Sequence, residues 1–414
     1  MKNRNFLLAI ALLISINAFG QNINGKLGTN GEFIIRDTSS TFLTVSQSTG
    51  NLTLNRSLRF ATMTANSQTG VIYKGNDRFI HNYFISNTSG ENTFVGINSG
   101  NFTLSGNGPQ ASFNTGVGQS TLTSLTTGGS NSAFGVKSLY SNTTGNLNSA
   151  FGYYSLYTNT SGYSNCAFGL ASLNTNSSGH TNSAFGDYSM FKNTIGFQNT
   201  AFGHNSLYNN VSGDWNAAYG VNSLQAVTTG TENTGLGTNA GSNITTGNNN
   251  TAIGCLAQVP SNTASNQVRI GNTLITYAGV QVAWTITSDL NWKQNITTSG
   301  LGLGFISKLK PVSYTRINDE KQRTEYGFIA QDIEKVLKET GVENSGMITV
   351  DDAGRYELRY NDLLAPMVKA IQELKVENEI IKSENEELKA KLMKIEQIQN
   401  ILLKEINQIK TVNN

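Results

Sequence analysis

Apolar and polar positions follow several distinct rhythms along this chain. Near the N-terminus, Phe6 to Ile16 form one unbroken apolar run behind Lys2 and Arg4. In residues 22–90, short stretches such as GEFIIRD, FLTVSQ, NLTLNR and GVIYKG alternate apolar with polar between Gly, Asn and Ser breaks. That pattern predicts a small β-rich leader. From about residue 91 to 271 the period changes to 17 residues. Gly118, Gly135, Gly152, Gly169, Gly186, Gly203, Gly220, Gly237, Gly254 and Gly271 mark it. Beyond residue 366 the period is seven. Leu374, Ile381, Leu388, Ile395, Leu402 and Ile409 recur, each preceded by three residues by Ile371, Asn378, Asn385, Leu392, Gln399 or Ile406. That is an a/d heptad with three polar a positions, the pattern of a coiled coil.

The 17-residue unit has a consistent content. An asparagine stands four residues before most marker glycines, from Asn114 to Asn250, giving an N-[ST]-A-F-G box. A Ser-Leu pair follows, with the apolar member at Leu122, Leu139, Leu156, Leu173, Met190, Leu207 and Leu224. A second glycine recurs from Gly145 to Gly247. A fixed period of this size predicts a solenoid. Each unit is too short for helices and fits one coil with two short strands, stacked on its neighbours at about 4.8 Å. Phe134, Phe151, Phe168, Phe185 and Phe202 are expected as a ladder inside the coil, with the leucines as a second ladder. The asparagines are expected at corners, in left-handed turns, bonding to backbone and to one another. The boxes N-T-A-I-G (residues 250–254) and N-S-A-F-G, with the following Ser-Leu, resemble the head repeats of trimeric autotransporter adhesins and of phage tail fibres. That resemblance covers about residues 92–271 and implies a left-handed parallel β-roll, three chains side by side. Tyr140, Tyr153, Tyr157, Tyr208 and Trp215 read either as an exposed face that stacks on sugars or as packing along the rod.

Composition sharpens the division. Charged residues are 14% of the 414 residues, and the net charge is +2. Yet residues 91–270 hold only seven charges, against 38 in residues 288–414. Like charges would recur every coil in a stacked rod, so a charge-poor middle suits it. The near-zero net charge argues against nucleic-acid binding. Cys166 and Cys255 lie about five coils apart, roughly 24 Å, too far for a disulfide; both read as small structural residues. With two cysteines and three histidines, no metal or cofactor is expected. Ala18 and Gly20 after the apolar run complete a cleavable export signal over residues 1–20, with Gln21 as mature start. The run is shorter than the roughly 20 residues that span a bilayer. A secreted or cell-surface product with no membrane-spanning segment is therefore expected.

The charge-rich part carries the candidate chemistry. It opens with Ser288-Asp289 and Lys293, continues with Leu309-Lys310-Pro311-Val312-Ser313-Tyr314, then Gly327-Phe328-Ile329-Ala330-Gln331-Asp332, and ends in the heptad helix. On spacing alone, Ser288-Asp289 reads as a turn or helix cap with Lys293 in solvent. The alternative is a Ser-Lys dyad. No histidine lies in this part, so a Ser-His-Asp arrangement is excluded here. A lysine serves as general base where burial favours its neutral amine, and Trp284, Ile286 and Trp292 flank the site. The four motifs, in this order, resemble the C-terminal intramolecular chaperone of phage endosialidases and other tailspikes, a self-cleaving serine peptidase family also found in myelin regulatory factor. The resemblance covers about residues 287–390. Leu290 departs from it, since many members carry Arg there. The resemblance implies attack by Ser288 on the carbonyl just before it, breaking Thr287–Ser288 with Lys293 as base. Asp289, Gln331 and Asp332 are candidate supports; for the last two, helix capping and packing are the other reading.

The expected organisation is then a signal peptide (1–20), a β-rich leader (21–90), the repeat β-roll (91–271), a linker (272–287), a small α+β chaperone and autopeptidase domain (288–365) and a coiled coil (366–414). The expected function is that of a homotrimeric fibre- or adhesin-like protein. Its C-terminal domain drives trimerisation and releases itself in a single turnover, with a cell-surface glycan or protein as the rod's ligand. The other reading keeps the domain as a permanent trimer clamp.

Overall fold

The computed structural model describes residues 32–36, 41–46, 51–54, 66 and 70–412. The expected signal at 1–20 and its boundary at Gln21 lie outside the described residues. Strands β1 (Glu32–Arg36), β2 (Thr41–Ser46) and β3 (Leu52–Leu54) form an antiparallel sheet in sequence order, within a unit of its own.

The second unit opens with β4 (Ile72–Lys74), β5 (Asp77–His81) and β6 (Thr93–Val95), paired antiparallel. From β6 to β16 every pairing is parallel. Strand β7 (Thr115–Val117) begins a series that returns every 17 residues through β8 (Ser132–Phe134) and β9 (Ser149–Phe151), ending at β15 (Thr251–Ile253) and β16 (Val268–Ile270). Equivalent residues pair: Cys166 with Ser183, Ala167 with Ala184, Phe168 with Phe185. The result is a β-solenoid closed into one sheet of 13 strands.

Two details of the coil differ from expectation. Each coil holds one three-residue strand, not two. The Ser-Leu segment is a run of turns in which Leu139 has φ 49° and Leu156 φ 48°. The phenylalanines also lie outside the coil. Alternation along a strand turns the box Asn and Ala inward, and the Ser/Thr and Phe outward. Ala133, Ala150 and Ala167 are fully buried, whereas Phe202 is 39% exposed. The interior has room for only a methyl there, because the leucine of the turn fills the opposite side. A Cβ added at Gly235, which holds the alanine position, would lie 2.9 Å from Leu224 Cγ. The phenylalanines still form a ladder, with ring centroids 4.5–4.9 Å apart from Phe134 to Phe202 and planes within 7°. The leucine ladder is inside as expected, with Leu139, Leu156, Leu173 and Leu207 at 0% exposure.

The asparagines hold the coils together, from inside rather than at left-handed corners. The left-handed residue is the one before each: Ser130, Leu147, Ser164, Thr181. Asn148 shows the pattern. Its Nδ2 donates to Asn131 Oδ1 (3.1 Å) and to Gly162 O (2.9 Å), and its Oδ1 accepts the backbone N–H of Asn165 (3.0 Å) and Asn165 Nδ2 (3.2 Å). A second buried amide ladder, unforeseen from sequence, runs through Asn142, Asn159, Asn176, Asn193 and Asn210, with Nδ2–Oδ1 distances of 2.7–2.8 Å. Both ladders converge on the second glycine's carbonyl. Gly162 O, for example, accepts from Asn148 and Asn159. The marker glycine is required sterically as well. Gly135 has φ 121°, and a Cβ there would sit 2.6 Å from Gly152 O in the next coil.

At the N-terminal end Phe94 takes the inward alanine position and is fully buried. His81 stacks against it at 4.8 Å, and Phe102 packs on His81 and Tyr83. His81 Nδ1 accepts Tyr83 N–H (3.3 Å), so Nε2 carries the hydrogen and donates to Ser99 O (2.8 Å). Burial pushes this imidazole down to about 4.

After the solenoid come a 3₁₀ turn (Leu290–Trp292), α1 (Leu303–Ile306), the hairpin β17 (Val312–Thr315) and β18 (Thr324–Gly327), and α2 (Ala330–Glu339). A second hairpin follows, β19 (Ile348–Val350) and β20 (Tyr356–Leu358). A 3₁₀ turn (Tyr360–Leu363) leads into α3 (Leu364–Val412). Phe305, Ile333, Val336, Leu337, Met347 and Leu363 make the small core of this region. Helix α3 has 49 residues, about 74 Å at 1.5 Å per residue. Its apolar seam is uncovered: Leu374, Ile381, Leu388, Ile395, Leu402 and Ile409 are 42–61% exposed. Among the described residues no helix is long and apolar enough to cross a membrane.

Two predictions follow from the packing. Asn165→Ala strands its partners in a buried ladder and should destabilise the solenoid by about 1–3 kcal/mol, whereas Thr200→Ala on the outer face should have a small effect; chemical denaturation compares them. Between pH 6.5 and 4 the unfolded His81 binds a proton that the folded one resists. Stability should therefore be full above about pH 6.5 and fall as pH drops toward 4. Melting of His81→Gln against pH should show a flatter acid limb than the parent.

Candidate functional site

The site begins where regular structure thins out. Residues 273–287 carry no strand or helix and are exposed. Asp289, with extended backbone (φ −65°, ψ 141°), caps the following 3₁₀ turn: its Oδ1 accepts Asn291 N–H at 2.7 Å. Trp292 N–H donates to Asp289 O, and Lys293 N–H donates to Leu290 O at 3.1 Å. This single turn folds the chain back on itself and sets Lys293 Nζ 2.6 Å from Ser288 Oγ. Asp289 is a cap, and Lys293 meets the hydroxyl rather than solvent alone.

The expected apolar cover is missing in the single chain. Trp284, Ile286 and Trp292 are 75%, 68% and 84% exposed. Gln331 and Asp332 stand in the first turn of α2, both exposed. No hydrogen bond joins either to Ser288 or Lys293 among the described residues. Asp332 suits the positive end of the helix, but the cap position is Ile329, which makes no side-chain cap bond. Asp332 instead lines a cavity of about 360 Å³ with Leu309, Lys310, Phe328 and Ile333. Tyr360 Oη accepts Phe328 N–H at 3.2 Å, tying the Gly-Phe motif to the entry of α3. In the first hairpin the Arg323 side chain, bonded to Asp319, draws that carboxyl down to about 2.

The rod's aromatics fall into separate columns. Tyr140 stacks on Tyr157 (5.2 Å) and Phe191 on Tyr208 (5.3 Å) in one column. Tyr153 joins that column through Tyr154, at 4.3 and 4.7 Å, whereas Trp215 stands in another, edge-on to Phe197 at 5.2 Å. That other column, with Tyr163, His180 and Phe197, stacks at 4.6 and 5.0 Å. Its 17-residue spacing was legible but mixed residue types hid it. Both cysteines are free, Cys166 half-buried and Cys255 exposed.

A parallel β-solenoid, a small α+β region and a long helix with an apolar seam follow one another along the chain. Residues 288–342 match the family model described as chaperone of endosialidase, peptidase S74. The match starts at Ser288 and spans the 3₁₀ turn, the first hairpin and α2, so this part of the chain is similar to a chaperone-of-endosialidase domain. With the solenoid it fits a trimeric fibre. No curated protein and no solved structure matches the chain.

Asp289→Ala should cost the turn about 1 kcal/mol by loss of its cap. The measurement is amide exchange at Asn291, expected to quicken while exchange in α2 stays unchanged.

Proposed function

We propose that the chain is an exported, homotrimeric fibre- or adhesin-like protein whose C-terminal domain guides trimerisation and then cuts itself off between Thr287 and Ser288. The observation that carries this reading is the 2.6 Å approach of Lys293 Nζ to Ser288 Oγ at the first residue of the matched segment. Ser288 Oγ attacks the Thr287 carbonyl carbon while the neutral Lys293 amine takes the hydroxyl proton. The Oγ–C bond forms, the Thr287 C–N bond breaks, and the proton passes to the departing Ser288 nitrogen. Water then hydrolyses the ester, leaving a rod that ends at Thr287 and a separate 288–414 piece.

A lysine base needs cover from water. Trp284, Ile286 and Trp292 flank the pair in sequence and are exposed in one chain. Neighbouring chains packed on these side chains would supply that cover, so cleavage would wait for assembly. The apolar seam of α3 and the outer phenylalanine ladder offer the surfaces for such packing. The exposed Tyr163 and Trp215 favour a sugar-binding role for the finished rod.

Gel and intact-mass analysis of the parent, Ser288→Ala and Lys293→Ala test the proposal. The parent should yield 21–287 and 288–414; both variants should stay joined yet trimeric, with cleavage lost by at least about 100-fold. A parent that assembles as a trimer and remains whole would replace this reading with that of a permanent clamp.

A further inference from the structure

The two ends of the solenoid are closed by different means. Along the rod, the inward middle position of the strand is Ala or Gly in every coil from Ala133 to Ala252. It changes at the ends alone. At the first coil Phe94 fills it, sealed by the chain's own aromatics. At the last coil, β16, it is Arg269. A guanidinium in the alanine position has no place inside a coil, and here no further coil follows. Its Nη2 reaches Glu357 Oε1 on β20 at 2.6 Å. Its Nε is buried with no partner of its own.

Glu357 belongs to a hairpin whose turn is tightly fixed. Asp351 binds Arg355 Nε at 2.7 Å and accepts the backbone N–H groups of Ala353 and Arg355. That turn presents Asp352 to the rod. Asp352 N–H donates to Pro260 O (2.8 Å), and Asp352 Oδ2 accepts Asn262 N–H (2.7 Å). The first hairpin adds Asn318 Nδ2 to Thr273 O. The contact is therefore made by side chains and loop backbone. Strands β19 and β20 pair only with each other, and β16 remains the last strand of its sheet. An open cleft of about 550 Å³ lies at the joint. A polar, open joint that does not extend the sheet is one that separates without unfolding either side.

We infer that the β19–β20 hairpin is the C-terminal cap of the solenoid, seated through Arg269–Glu357 and Asp352, and that it stays on the rod non-covalently once the connecting backbone is cut. Solenoids need a cap because an open end exposes an unpaired strand edge and an unfilled core. Here the cap belongs to the domain that the cut would free, so cutting and release are separate events.

The test uses the full chain with Ser288→Ala and a specific protease site inserted in the exposed segment 277–286, so it does not depend on self-cleavage. After cutting, rod and 288–414 should co-elute in size exclusion at low salt. Arg269→Ala or Glu357→Ala should speed their separation about five-fold, the factor for an ion pair of about 1 kcal/mol. Arg269→Glu combined with Glu357→Arg should restore retention. Glu357→Gln, which keeps the hairpin's shape, decides the matter if Glu357→Ala fails to fold. Fragments that part at once in the parent, or that stay together equally well in every variant, would overturn the inference.

Discussion

Each coil of the rod is bound to the next by a side-chain amide as well as by backbone, and the remaining features of the repeat are consequences of that bond. An asparagine in the box has four hydrogen-bonding capacities, and inside the coil it uses all of them. Asn148 donates twice and accepts twice, across three successive coils. A buried amide with every group satisfied is stabilising, whereas one left half-bonded is costly. The ladder fixes where successive boxes meet, and added residues are accommodated outside them: the 22-residue coil from Asn92 to Asn114 keeps both rungs, with Asn114 N–H and Nδ2 donating to Asn92 Oδ1 at 2.9 and 3.2 Å. It also accounts for the glycines. Bringing the amides within 3 Å draws the corners so close that a Cβ at Gly135 would press on the neighbouring carbonyl.

How much of this the sequence disclosed depends on what a period can express. Spacing shows which residues stack on which, and the solenoid, its boxes and the leucine ladder were legible for that reason. Spacing does not say which way a side chain points when a strand is three residues long. Phe134 and its equivalents are the most apolar residues of the box and invite an inward reading, but the alternation that buries Asn131 and Ala133 sends them out. The ladder of Asn142 and Asn159 was passed over because asparagine is common throughout the repeat, so one more column of it stands out little. In the C-terminal region the order of four short motifs was enough to point to the family whose model residues 288–342 match. It could not reveal that a 3₁₀ turn, capped by Asp289, is what closes the five-residue gap between Ser288 and Lys293. Nor could it show that the tryptophans beside them are bare in a single chain.

The split in charge takes on a structural meaning at the joint. Within the rod, a charge on an inward position would be buried in every coil that repeated it, and burying an unpaired charge is prohibitive. Arg269 is allowed because it stands at the end, where a partner from another part of the chain reaches it. The same logic explains the fixed hairpin turn. Asp351 is spent on holding Arg355, which leaves Asp352 and Glu357 aimed at the rod. Charge is thus scarce where coils stack and plentiful where one module must recognise another.

Three apolar surfaces are left open to different degrees in one chain: the seam of α3, the half-buried outer phenylalanine ladder, and Trp284 and Trp292 beside Ser288 and Lys293 in sequence. They lie on separate elements of the chain. Chains packed side by side, as in the proposed trimer, would cover each with its own counterpart. The order of covering matters. A coiled coil forms from local contacts along one helix, while a solenoid gains its core only as coils accumulate. Helix association would therefore come first and hold three unfinished rods in register. Trp284 and Trp292, which lie between rod and helix in the chain, would be covered last. Under the proposed cleavage at Thr287–Ser288, a cut that waits for that cover would follow assembly and not precede it.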